Sequence, residues 1–208
     1  LTYDGSKLTV TGQAEVSSDL DIAEDIRHLG DTDTKIKFTT NTQQFFTAGS
    51  EKMRIHSTGA VTKPLQPSFG AYGNASWTTI NAASGGVPVF PNVAHNVGTH
   101  YNTSNGIFTA PVDGLYLLMV HVMVSTSDDS TSTDTRSFDM FFQKNSSNLA
   151  RHHQKRGYKN DGDIQNTMDM TCTEVLSANN TINLYFYANS YAQRWYGAHT
   201  YFGVTLLS

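Results

Sequence analysis

Cysteine is almost missing: Cys172 stands alone in 208 residues. No intrachain disulfide and no cysteine-ligated zinc site can form. Charge is also sparse. Asp, Glu, Lys and Arg make up 15% of the chain, and the net charge is -4 at pH 7. Without an excess of phosphate-seeking cations, no nucleic-acid partner is expected. No apolar run approaches the roughly 20 residues that cross a bilayer, so membrane insertion is not expected either. Catalytic motifs are absent: no G-x-S-x-G elbow, no H-E-x-x-H, no phosphate-binding glycine loop. The chain therefore does not read as an enzyme. It opens at Leu1, with neither an initiator Met nor a secretory apolar stretch, and reads as a piece of a longer polypeptide.

What is present favours strands. Val, Ile, Thr, Tyr and Phe recur in short runs broken by Gly, Asn, Asp and Ser, which predicts an all-β protein. One segment has a helical spacing: Leu20, Ile22, Ala23, Ile26 and Leu29, ending at Gly30. An irregular turn accounts for it nearly as well. Pro64 and Pro67 divide the chain into 1–63 and 64–208. The first region opens with LTYDGSKLTVTG, a hairpin turning at Asp4-Gly5. Further on, Ile36 and Phe38 alternate with Lys35 and Lys37, and Phe46, Met53 and Ile55 mark more short strands. Apolar content is thin for an independent fold of about 60 residues.

In the second region, Phe90, Asn96, Tyr101, Phe108, Gly114 and Tyr116 fall at fixed intervals. SFGAY at 68–72 and YFGVTLLS at 201–208 bracket them as opening and closing strands. This spacing resembles the signature of the C1q-like family, related in fold to the tumour necrosis factor ligands. Leu118 and Val120 stand where the family pattern has two further aromatics, and both are size-tolerant core replacements. The resemblance implies a ten-stranded antiparallel jelly-roll sandwich acting as a homotrimeric binding head. There is no Gly-X-Y repeat, so no collagen stalk precedes it. Instead, residues Ile26–Ile55 resemble a β-rich module of tail fibres from tailed bacteriophages, especially phages of marine bacteria. The matching text is I-x-H-x-G-D-T-x-T-x-I-x-F followed by T-A-G-S-E-x-x-R-I. That likeness implies an intertwined trimeric shaft in which each copy supplies core to the others.

Parity along the strands then assigns faces. Ile164, Met168, Met170, Cys172 and Leu176 share one side of a strand, with Gln165, Thr167, Asp169, Thr171 and Thr173 on the other. Cys172 is thereby a buried, inert thiol. The run 114–124 is apolar on both sides. Tyr116, Leu118, Val120, Val122 and Val124 form one face, and Leu115, Leu117, Met119 and Met123 the other. A sandwich strand apolar on both faces has a second surface to bury. The expected subunit interface is Leu115, Leu117, Met119 and Met123 together with Tyr185, Tyr187 and Tyr201.

Counting strands from the Pro111–Gly114 turn places three loops at the end away from the shaft: 125–135, 154–163 and 189–197. Binding residues gather in such loops on rigid scaffolds. Lys155, Arg156, Tyr158, Lys159, Tyr191, Arg194, Trp195 and Tyr196 are the expected receptor-binding set, since exposed Trp, Tyr and Arg act as anchors. The competing reading is that the loop aromatics pack on one another. No cofactor is required. Some C1q-like heads bind Ca²⁺ near the apex, and Asp128, Asp129, Asp134, Asp161 and Asp163 are the weak candidates. His152 and His153 are adjacent and point to opposite faces of a strand, so they make no chelating pair. The expectation is a phage tail-fibre tip in the virion, joined to the rest of the fibre and adhering to a glycan or protein on a bacterial surface. The alternatives are a trimerising cap or decoration without receptor binding and, less favoured, a glycan-degrading tailspike. A tailspike would need paired carboxylates, and such enzymes usually carry solenoid repeats that this chain lacks.

Overall fold

The computed structural model describes residues 2–3, 5–126, 136–156, 165–189 and 191–208. The chain divides into two compact units, Leu1–Pro64 and Leu65–Ser208.

In the first unit, β1 (Thr2–Tyr3) and β2 (Leu8–Thr9) form a small hairpin. A five-stranded meander follows: β3 (Asp25–His28), β4 (Asp31–Thr39), β5 (Thr42–Thr47), β6 (Ser50–Ile55) and β7 (Val61–Thr62). The helical spacing from Leu20 does not become a helix; Ile26 lies in β3. The reason is energetic. Leu20, Ile22, Ile26 and Leu29 are 66%, 36%, 48% and 87% exposed, so the face such a helix would bury has nothing to cover it. Short helices depend on that burial. Register places Ile26, Ile36, Phe45 and Met53 on one row across the meander. Yet Gln44 is the one buried residue among the described positions of this unit, and no apolar side chain is fully buried.

The second unit is a sandwich. Its strands are β8 (Ser68–Tyr72), β9 (Trp77–Ile80), β10 (Ser84–Gly86), β11 (Asn92–Val97), β12 (Tyr101–Asn102), β13 (Ile107–Thr109) and β14 (Gly114–Thr126). Then come β15 (Arg136–Lys144), β16 (Ser147–Arg156), β17 (Gln165–Leu176), β18 (Thr181–Ala188), β19 (Gln193–Tyr196) and β20 (Tyr201–Leu206). One sheet runs β11-β8-β20-β14-β19-β9, with β17 also paired to β14; the other runs β12-β13-β18-β15-β16, with β10 added on β18. Among the described residues seven strands thus face six, more than the ten expected, because β9, β10 and β19 add to the sheets. Among the described residues the only helical element is a 3-10 turn, Gly197–His199.

The spaced residues of the sequence signature each have a structural task. Phe90 and Phe108 are fully buried, and Tyr101 stacks on Phe69 at 4.3 Å. The Tyr101 hydroxyl is 3.2 Å from the Phe90 N–H, which donates to it; burial pushes the phenol up to about 12. Asn96 holds the Tyr101 backbone from both sides: its Nδ2 donates to the carbonyl at 2.9 Å and its Oδ1 accepts from the N–H at 3.1 Å. Gly114 has no room for a Cβ, which would lie 2.6 Å from the Ser208 carbonyl oxygen. Tyr116 is buried, with its hydroxyl donating to Val112 O at 2.9 Å. Along β17 the inward set is Met168, Met170, Cys172 and Leu176, as parity requires, while Ile164 lies outside the described residues.

At one end of the sandwich, polar side chains tie the short turns together. Asn145 Oδ1 accepts from Thr181 N at 2.8 Å, Asp113 Oδ1 from Ala178 N at 2.7 Å and Asn180 Oδ1 from Ser177 N at 2.9 Å. Gln66 and Pro67, where the chain enters this unit, bond to the Leu206 backbone at that same end.

Candidate functional site

Two surfaces and one cleft compete for the functional site. The first surface is the outer face of the seven-stranded sheet. β14 alternates so that Tyr116, Leu118, Val120, Val122 and Val124 enter the core, while Leu115, Leu117, Met119 and Met123 stand half-buried on the other side. Register extends this row across its neighbours. Leu115 faces Val175 on β17, itself 67% exposed, and Met119 faces Gly203 on β20. Tyr201 lies flat over the sheet because Gly203 and Gly70 are paired beneath it. A Cβ on Gly70 would run into the Tyr201 hydroxyl and come within 2.9 Å of His95 Cε1. Partial burial raises the pKa of that phenol. Beside it, His121 Nδ1 is 2.6 Å from Asp169 Oδ1. A shallow groove of about 510 Å³ follows, lined by Tyr72, His121, His199 and Tyr201 among others.

Tyr185 and Tyr187 are not on this face. They sit on β18, on the outer side of the six-stranded sheet, so the seven expected interface residues divide between two surfaces. There they have local partners. Tyr187 is in register with Asp139, and Tyr185 with Phe141 at 6.3 Å between ring centres. Asp139, 4% exposed, accepts from Arg151 Nε at 2.7 Å, and its Oδ1 lies 2.7 Å from His153 Nδ1. Gly85 makes room for the Tyr185 ring. Parity within one strand fixes which side a residue takes, but not which of two sheets that strand joins.

The second surface is the end where β14 and β18 finish and β15 and β17 begin. Pairs Ser125↔Gln165, Arg136↔Arg156 and Phe138↔Ala188 place these strand ends together. Tyr158, Lys159 and all five candidate calcium aspartates (Asp128, Asp129, Asp134, Asp161 and Asp163) lie outside the described residues. Arg156 closes β16, and Lys155 beside it is exposed. Tyr191 lies under the buried Arg136, whose guanidinium carbon is 5.1 Å from the ring centre.

The 189–197 segment is not wholly a loop. Residues Gln193–Tyr196 are a strand, hydrogen-bonded to β14 on one side and β9 on the other. Its alternation points Trp195 inward. Trp195 is 5% exposed and meets Phe90 and Phe186 edge-on at 5.6 and 5.7 Å. It is a core residue, not the exposed anchor expected from its place in the sequence. Arg194 and Tyr196 point outward and pack on Trp77 at 5.3 and 5.1 Å, on the same sheet face as Leu117 and Met119. Among the described residues no group of three or more His, Cys, Asp or Glu could hold a metal ion.

The cleft was not anticipated. It opens between the edge strands β9 and β10 and the 87–91 segment, has a volume of about 390 Å³, and is floored by Phe186 and Trp195. Its walls come from a polar stretch, 74–86, whose short strands carry little periodic signal.

The connectivity defines the class of the second unit: an antiparallel two-sheet jelly roll. The C1q domain family matches residues 73–160. The C-terminal part of this chain thus carries a match to the C1q domain, a family that is typically non-enzymatic, on a sandwich of C1q/TNF type. Solved structures of similar fold include the globular domain of zebrafish complement 1qA protein, at 10% identity and TM-score 0.44, covering 69% of this chain and 98% of that one. Eiger TNF from S. frugiperda is similar at 13% identity and TM-score 0.47, covering 69% and 93%. No curated protein sequence matches the chain.

Proposed function

We propose that this chain is the receptor-binding tip of a phage tail fibre: a homotrimer whose C1q domains adhere to a bacterial surface. One observation carries the self-association. The Leu1–Pro64 unit is a β meander with no fully buried apolar residue among its described positions. A sheet without a covered face is marginal in water, so other copies supply the missing cover. The outer face around Leu117 and Met119 offers the C1q domain a matching surface, since burying each such side chain fully is worth roughly 1.5–3 kcal/mol. The phage assignment draws on the tail-fibre likeness of Ile26–Ile55, and the number three on the C1q/TNF resemblance. Multiplied contacts then convert weak individual binding into durable attachment.

The test is sedimentation velocity of the full chain over a range of concentrations, followed by pull-down from bacterial envelopes. The expected result is a three-chain species that dissociates in the Leu117→Asp, Met119→Asp double variant. A folded single chain at low concentration refutes the proposal. A second reading, a trimerising cap that binds no receptor, gains from the burial of Trp195, which removes the strongest expected anchor from the surface. A trimer that captures no envelope component would favour it.

A further inference from the structure

We infer that the cleft between β9 and β10 is a binding subsite for a neutral sugar residue. This deepens the adhesive reading and rests on it for its biological meaning, although the chemistry of the cleft is argued separately. Among the described residues no Asp, Glu, Lys or Arg lines it. A charged ligand would lose hydration there and gain no counter-charge, so anionic sugars and phosphates are disfavoured. Two core rings close the floor, Phe186 at 1% exposed and Trp195 at 5%, and the open apolar surface comes from Val87 and Val89 in the wall, 39% and 38% exposed. Aliphatic groups of this kind cover the C–H surface of a pyranose. The rim carries Thr78, Asn81 and Ser84, short side chains that both donate and accept hydrogen bonds. An apolar floor with a few converging hydroxyls and amides is the composition that a polyhydroxylated, uncharged ring requires. At about 390 Å³ the cleft lies at the small end of ligand sites, with room for roughly one or two sugar rings.

An added peptide strand fits less well. Pro88 and Pro91 stand in one wall, and neither has an N–H to give to a strand ladder.

Gly86 keeps the cleft open. It is in register with Phe186, so a side chain there would project on the Phe186 side, toward the interior of the sandwich. A Cβ at Gly86 would meet nothing within 4 Å, and its backbone is not in the left-handed region. A Cβ is therefore accommodated without strain, and the rest of a larger side chain extends from it into the ligand's space. Its neighbour Gly85 is the opposite case, since a Cβ there would lie 2.6 Å from the Tyr185 hydroxyl oxygen.

The experiment uses the full chain and methyl glycosides of glucose, galactose, mannose, fucose and N-acetylglucosamine, with methyl glucuronoside as the charged control. Saturation-transfer NMR and titration calorimetry read binding. At least one neutral glycoside should bind saturably, the glucuronoside should not, and Gly86→Leu should raise Kd at least tenfold with assembly and melting temperature unchanged. The exposed pair Asn81→Ala, Ser84→Ala should raise Kd about tenfold, and it decides the matter if Gly86→Leu folds poorly. The inference is overturned if no neutral glycoside saturates, if only the glucuronoside binds, or if the variants bind like wild type. Cell adsorption is measured in parallel. Glycoside binding without adsorption sinks the adhesive reading and leaves the cleft; adsorption without glycoside binding does the reverse.

Discussion

Replacing Trp195 with Ala separates a core role from a binding role. The side chain is 5% exposed and wedged between Phe90 and Phe186, with Phe202 6.1 Å beyond Phe90. Truncating a buried Trp costs about 3–5 kcal/mol, from lost transfer energy and the cavity left behind. The edge-on ring pairs are part of that sum. Small domains have only 5–15 kcal/mol in total, so the loss is a large fraction. For a unit of this size 1 kcal/mol shifts Tm by about 3 °C, which predicts a fall of roughly 10–15 °C. Tyr196→Ala is the control. Tyr196 is half-buried against Trp77 and His199 at 5.1 and 5.0 Å, and its loss should cost about 1 kcal/mol, or about 3 °C. Calorimetry at one fixed protein concentration is the assay, because self-association would make Tm concentration-dependent. Melting of Trp195→Ala within 2–3 °C of wild type would refute the core assignment. It follows that lost adsorption in a Trp195 variant says nothing about receptor contact unless folding is shown intact.

Two further outcomes are expected. Gly197→Ala should destabilise by about 1–3 kcal/mol, read by urea denaturation, because its Cβ would collide with the Asn74 carbonyl and lie 2.8 Å from Asn74 N; unchanged stability would mean that the 73–76 segment yields freely. Alkaline titration at 295 nm should show a phenol ionising near pH 12 that belongs to Tyr101. The folded phenol holds its proton above the ordinary value of 10, so its stabilising contribution is complete below pH 10 and fades between 10 and 12. Tyr101→Phe should remove that part of the alkaline loss, and an identical pH profile in the variant would contradict it.

Much of the sandwich was legible in the sequence because parity and core identity are local. Alternation sorts β14 into two apolar rows, the signature's Tyr116 marks the inner one, and Phe90, Tyr101, Phe108 and Tyr116 are buried where their spacing implied. What stayed hidden depends on pairing between distant segments. Trp195 turns inward because β19 finds β14 and β9, separated from it by scores of residues. Tyr185 and Tyr187 part from Leu117 because β18 joins the other sheet. The cleft arises where two short polar edges meet over an aromatic floor, and neither edge carries a periodic signature. The helical spacing at Leu20–Leu29 misled for the complementary reason: a periodic face has meaning only if something lies opposite to bury it.

Cys172 narrows one route. Its thiol lies partly buried on the inner side of β17 against the core, and burial raises its pKa. With a single cysteine in these 208 residues, sulfur cannot weld one strand to another within a copy. An assembly held by interleaved shape should come apart in heat or detergent without a reducing agent.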